Sequence, residues 1–179
     1  MAQQNIKQII KQEYIKCAKD PVYFMKKYCW IQHPTRGRVQ FNLYPFQEGT
    51  LNLLQKNDRN IILKSRQLGI STLSAGISLW MMVFQKDKAI LVVATKQDTA
   101  KNLVTKVKFM YDNLPSWLQI GFTENNKLAL RLKNGSQVKA VSAASDAGRS
   151  EAISLLIIDE AAFIEENRIE EIWGSSQQT

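Results

Sequence analysis

Asn60-Ile-Ile-Leu-Lys-Ser-Arg-Gln-Leu-Gly-Ile-Ser-Thr72 reads as a short apolar strand, a tight loop and the first turn of a helix. The phosphate-binding pattern G-x-x-x-x-G-K-[ST] fits this loop only in part. Aligned on Gly69 and Ser71, the chain has Lys64 where the first glycine belongs and Ile70 where the lysine belongs. Phosphates still need a cation, and the loop offers Lys64 and Arg66. Successive backbone N–H groups from Lys64 through Ser65, Arg66, Gln67, Leu68, Gly69, Ile70, Ser71 and Thr72 could converge on phosphate oxygens, aided by the helix dipole. Gly69 would permit close backbone approach, Ser71 would offer a hydroxyl to Mg²⁺, and Lys64 would reach the β- and γ-phosphates. The plainer alternative is a strand-to-helix turn with a solvated Lys-Ser-Arg.

A second stretch, Leu155-Leu-Ile-Ile-Asp-Glu160, weighs against that alternative. Four apolar residues predict a buried strand, and its end places Asp159 at the carboxyl edge of a sheet, where open α/β folds bind ligands. Asp159 would hold Mg²⁺ through its water shell, and Glu160 would orient and deprotonate an attacking water. Adjacent acidic residues also suit a helix N-terminus. The order, phosphate loop then strand then Asp-Glu, favours the chemical reading.

Working outward, Ala89-Ile-Leu-Val-Val-Ala94 predicts a strand covered on both faces. Asn134-Gly135 between 128–132 and 137–141 predicts a hairpin. Amphipathic spacing predicts a helix over 4–18 with Ile6, Ile9, Ile10, Tyr14 and Cys17 on one face. Asp20-Pro21 starts another through Tyr28, and 45–56 is a third. Residues 31–43 read as a loop or extended arm. After the loop, Leu73, Ile77, Trp80, Met81 and Phe84 mark one side of a helix. Asp98 or Thr99 is placed to cap the next, which buries Leu103, Val104, Val107 and Met110. Ile169, Ile172 and Trp173 suit a terminal helix. The expectation is an α/β fold with a mainly parallel central sheet flanked by helices. Residues 1–43 form a helical adaptor and 44–179 the core, which the three apolar strands leave incomplete, as in a C-terminal truncation.

Composition is that of one ordinary domain: 179 residues, 45% hydrophobic and 22% charged. The net charge of +8 favours an anionic partner such as nucleic acid or nucleotide, although a solvated lysine-rich surface accounts for it equally. Cys17, Cys29 and the single His33 lack zinc-ligand spacing. Neither a membrane span nor a signal peptide is visible, so a soluble, intracellular protein is expected.

Lys64-Ser-Arg-Gln-Leu-Gly-Ile-Ser71 together with Leu156-Ile-Ile-Asp-Glu-Ala-Ala-Phe163 resembles the ATPase domain of the large terminase subunit of tailed bacteriophages. Asp20-Pro-Val-Tyr-Phe24 and Tyr44-Pro-Phe-Gln47 extend the likeness over about residues 20–174. The resemblance implies a P-loop NTPase of the additional-strand, RecA/helicase-like class, with a deviant Walker A whose cation is displaced to Lys64 or Arg66. It implies a Walker B at Asp159, a catalytic Glu160, and ATP with Mg²⁺ as cofactors. It further implies that Gln47 contacts adenine rather than being an ordinary exposed helical glutamine. Arg149 would be a finger on the transferring phosphate, with Arg66 the competing candidate and a surface loop arginine the plain alternative.

The partners implied are double-stranded DNA, a portal protein, a small terminase subunit and further copies in a ring, in the host cytoplasm. The family's later strands, coupling motif and acidic nuclease cluster do not occur before Thr179, so nuclease activity is not expected of this chain. A helicase or remodelling ATPase and a non-catalytic nucleic-acid-binding or assembly module are the rival readings.

Overall fold

The unbroken apolar runs at 89–94 and 155–158 lie side by side in one sheet. The computed structural model of the protein describes residues 2–144 and 152–176. In chain order the elements are helices α1 (Ala2–Lys19) and α2 (Pro21–Tyr28), strands β1 (Trp30–His33) and β2 (Gly37–Gln40), and helices α3 (Pro45–Lys56) and α4 (Ile70–Phe84). Strand β3 (Ala89–Ala94), helix α5 (Gln97–Asp112), strands β4 (Phe122–Asn125), β5 (Ala129–Leu132), β6 (Gln137–Ser142) and β7 (Leu155–Ile158), and helix α6 (Glu166–Ser176) follow.

The main sheet has the order β4-β5-β6-β3-β7. Strand β3 runs parallel to β6 and to β7, whereas β4-β5 and β5-β6 are antiparallel. The sheet is therefore mixed, not mainly parallel as the strand–helix alternation predicted. The cause is local: Asn134-Gly135 turns the chain straight back, so β5 lies beside β6 without a crossover helix. That turn is also anchored. Gly135 has φ +86°, and the Asn134 amide donates to the carbonyls of Met82 (2.8 Å) and Gln85 (3.0 Å), satisfying the C-terminal end of α4.

Alternation along β3 divides the core. Ile90, Val92 and Ala94 face α4 and α5 in one large cluster with Leu73, Leu79, Met82, Leu103, Val107 and Met110. Leu91 and Val93 face the other way with Val141, Ala143, Ile158 and Ile164, against Ile169 and Ile172 of α6. All four residues predicted for the buried side of α5 are buried. Its N-cap is Lys96, so Asp98 and Thr99 fall inside the first turn instead of capping it.

Trp80, Met81 and Phe84 are only half-buried because α4 is sandwiched: its other side carries the sheet contacts. Trp80 Nε1 donates to the Cys17 carbonyl at 2.8 Å, and Phe84 packs edge-on against Tyr14 and Phe24. On α1 the predicted apolar face is buried only at Cys17, and Ile6 and Ile9 stay exposed. The Glu13 carboxylate ties α1 to α2 by accepting from the Tyr23 and Tyr28 hydroxyls and the Lys27 ammonium. These three donors hold its pKa down to about 2.

Two expectations for the segments before the loop need correction. Residues 31–43 contain a β1-β2 hairpin, turned at 34–36 where His33 Nδ1 accepts the Thr35 and Arg36 amides. Residues 61–63 are not a strand: 59–65 run without sheet partners, and Ile61 and Leu63 are each 101% exposed. A three-residue apolar run becomes a strand only if an edge accepts it. Among the described residues β7 is paired on the β3 side alone.

Candidate active site

The carboxyl ends of the parallel strands β3 and β7 open on the same edge of the sheet, beside the N-terminus of α4. The loop reaches that edge through a turn at 66–68 in which Gln67 has φ +65°, and Gly69 follows with φ +70° as the N-cap of α4. Gly69 has no side chain to cap the helix. Its carbonyl accepts the Leu73 amide at 2.9 Å, so the N–H groups of Ile70, Ser71 and Thr72 have no partner within the helix. Such a terminus attracts anions.

Glycine is required at 69 on two counts: the left-handed backbone, and a Cβ that would lie 2.8 Å from Gln47 Nε2. Gln47 itself is 2% exposed, not a surface glutamine. Its Oε1 accepts from the Tyr44 amide at 3.0 Å, as in one half of a capping box on α3, and its Nε2 donates to the Leu68 carbonyl at 3.0 Å. One end of the amide thus caps α3 and the other fastens the loop to it. Contact with a base requires exchanging one of these bonds. Tyr44 and Phe46, read in the sequence only as part of the family likeness and given no role there, have exposed rings that stack at 5.7 Å with planes 7° apart on the same turn as Gln47.

Ile70 explains why no lysine follows Gly69. Its side chain is buried in the large core cluster, where an ammonium could not be solvated. The two cations of the loop, Lys64 and Arg66, are exposed, and among the described residues no ion pair holds either. Arg149 lies outside the described residues.

The decisive contact spans 88 residues: Ser71 Oγ donates to Asp159 Oδ2 at 2.8 Å. Asp159 extends β7 by one ladder bond, its amide donating to the Val93 carbonyl at 2.9 Å. Its second oxygen accepts the Glu160 amide at 3.0 Å. Glu160 is exposed and sits in the left-handed region at φ 56°, ψ 39°. For a residue with a Cβ this costs about 1–2 kcal/mol, a strain that concentrates at functional sites. One carboxylate and one hydroxyl make a poor metal cage alone. They suit Mg²⁺, which keeps waters and takes its remaining ligands from phosphate oxygens. Among the described residues no cluster of three or more His, Cys, Asp or Glu side chains could hold a metal. Nor is any helix among them long and apolar enough to cross a membrane.

The fold resembles the large terminase of bacteriophage HK97, with a TM-score of 0.72 over 90% of this chain at 21% identity. The chain spans 35% of the length of that protein. Residues 61–176 match the family described as terminase large subunit, T4likevirus-type, N-terminal. That match takes in the loop, the Ser71–Asp159 pair and Glu160, and on it the chain belongs to the terminase large subunit family, in its N-terminal region.

Proposed function

We propose that this region binds ATP with Mg²⁺ at the α4–β7 edge and hydrolyses it, as the energy-transducing part of a motor that moves double-stranded DNA into a procapsid. The observation that carries this reading is the Ser71–Asp159 bond, which puts a strand-end carboxylate against the hydroxyl of a glycine-capped helix N-terminus. Phosphate oxygens would sit on the amides of Ile70, Ser71 and Thr72, with Lys64 and Arg66 supplying positive charge from the exposed side of the loop. Ser71 and Asp159 would hold Mg²⁺, which neutralises phosphate charge when bound. Glu160 takes the proton of the attacking water as that water's oxygen bonds to the γ-phosphorus and the ADP oxygen leaves. Tyr44 and Phe46 offer an aromatic face to the base, and Gln47 keeps the loop in register beneath it. Arg149 or Arg66 would stabilise charge on the transferring phosphate.

The partners of such a motor would be DNA, a portal protein, a small subunit and neighbouring copies, in the host cytoplasm. The +8 charge agrees with a polyanionic track. The exposed, unpaired residues 61–63 favour a second reading, an assembly module without turnover. Phosphate release from ATP decides between them. Glu160→Gln is expected to lower turnover by about 10²–10⁴-fold while ATP still binds. Absence of ATP binding by the unaltered chain at millimolar nucleotide would leave only the assembly reading.

A further inference from the structure

Thr95, the residue after β3, holds a buried hydroxyl without a use. Among the described residues its Oγ1 is the only buried side-chain polar atom that lacks a hydrogen-bond partner. Buried donors are rarely left so, and each such case calls for a reason.

Its place in the sheet supplies one. Side chains of β3 alternate, with Leu91 and Val93 on the face that packs Ile158 and Ile164. Thr95 is the first residue past that strand, at a bend, and Ala143, one step past Ser142 on the neighbouring β6, is buried on that face. The parallel register pairs Val93 with Ile158, and the Asp159 amide carries the ladder one step further. Thr95 is thus one residue past the end of β3 and Glu160 two residues past the end of β7, both at the same edge of the sheet. From Glu160 the chain turns through Ala161–Phe163 to Ile164, which is buried over the same face. Among the described residues no group holds the Glu160 carboxylate, since the one contact of this residue with Asp159 uses its backbone amide. A carboxylate that needs an orienting donor and a donor that needs an acceptor thus share one edge of the sheet.

We propose that Thr95 is a positioning residue for Glu160, its hydroxyl donating to one carboxylate oxygen and leaving the other to face the attacking water. The contact forms as Glu160 leaves the left-handed conformation on nucleotide binding. Thr95 keeps its proton throughout, and the water's proton passes to the free oxygen of Glu160. The proposal rests on the reading of Glu160 as the base.

Thr95→Val preserves shape and removes the donor, and Thr95→Ser keeps the donor. In the full chain the valine variant is expected to lose about 10- to 100-fold in kcat, the range of a hydrogen bond to a charged group, with KM for ATP within about twofold. The serine variant should stay within about threefold of the unaltered chain. Combining Thr95→Val with Glu160→Gln should add no further loss. A second readout needs no turnover. Hydrogen exchange at the amides of 160–164 should slow on adding a non-hydrolysable ATP analogue in the unaltered and serine chains, and not in the valine chain. Unchanged turnover in the valine variant overturns the proposal, as do equal losses in valine and serine, a matched loss of ATP affinity, or the same exchange response in all three chains. If Glu160→Gln leaves turnover intact while the exchange pattern appears as described, the assignment of Glu160 fails and the Thr95 contact stands.

Discussion

Leu79 and Leu63 both belong to apolar stretches that flank the loop. Leu79 is 0% exposed, sealed between the sheet and the α1–α2 layer, whereas Leu63 is 101% exposed on a segment that no strand accepts. The same side chain thus serves the scaffold on one side of the loop and projects into solvent on the other. The site sits where these regimes meet. It takes its rigidity from α4, β3 and β7, and its strained or exposed groups, Gln67, Lys64 and Glu160, from the segments that lead into and out of them. Precise placement on one side is combined with freedom to rearrange on the other.

Substitutions can press on this contrast. The largest effect is expected at Leu79→Ala, which should cost about 2–5 kcal/mol of unfolding free energy in a denaturant titration through lost contacts and a cavity. Gly69→Ala comes next. The left-handed backbone and the displaced Gln47 amide should lower stability by about 1–2 kcal/mol and weaken ATP binding, measured by calorimetry. Intact ATP affinity in a folded Gly69→Ala protein would show that the loop does not form the phosphate cradle.

Glu13→Gln is a smaller, pH-dependent test away from the site. The Glu13 pKa falls from 4.5 to about 2 on folding, so its contribution is present above pH 4.5 and fades as pH drops toward 2. The glutamine variant should show a shallower acid loss over that window by circular dichroism. Smallest of all, Leu63→Thr should shift stability by less than about 0.5 kcal/mol, since nothing covers the side chain. A loss as large as that of Leu79→Ala would mean that Leu63 is buried in the folded protein after all.

Much of the framework was legible because it depends on local runs. Four consecutive apolar residues at 155–158 followed by Asp-Glu specify a strand with polar groups at its end, though as the edge strand of the sheet it is half-buried and not buried as expected, and Asn134-Gly135 specifies a reversal wherever the neighbours lie. The 61–63 run failed as a prediction because a strand needs an edge alongside it to pair with, and no residue within the run reports whether one lies there. Gln47 was illegible for a similar reason. Its burial comes from the closeness of Gly69, which is distant in sequence, and the family likeness drew attention to a base contact while the structure spends the amide on the loop. Thr95 follows an apolar strand like many threonines, and only the missing partner sets it apart.

The hydrogen bond between Ser71 and Asp159 also has a consequence for how the molecule is made. Its two ends are separated by 88 residues, and α5, the β5-β6 hairpin and β7 must all be synthesised before the carboxylate exists to receive the hydroxyl. Closing so long a loop carries an entropic cost that a contact within one helix or hairpin does not. A chain emerging from the ribosome therefore carries the basic loop well before it carries the acidic strand end. The pair comes together only when β7 docks on β3, so it reports that the sheet has closed.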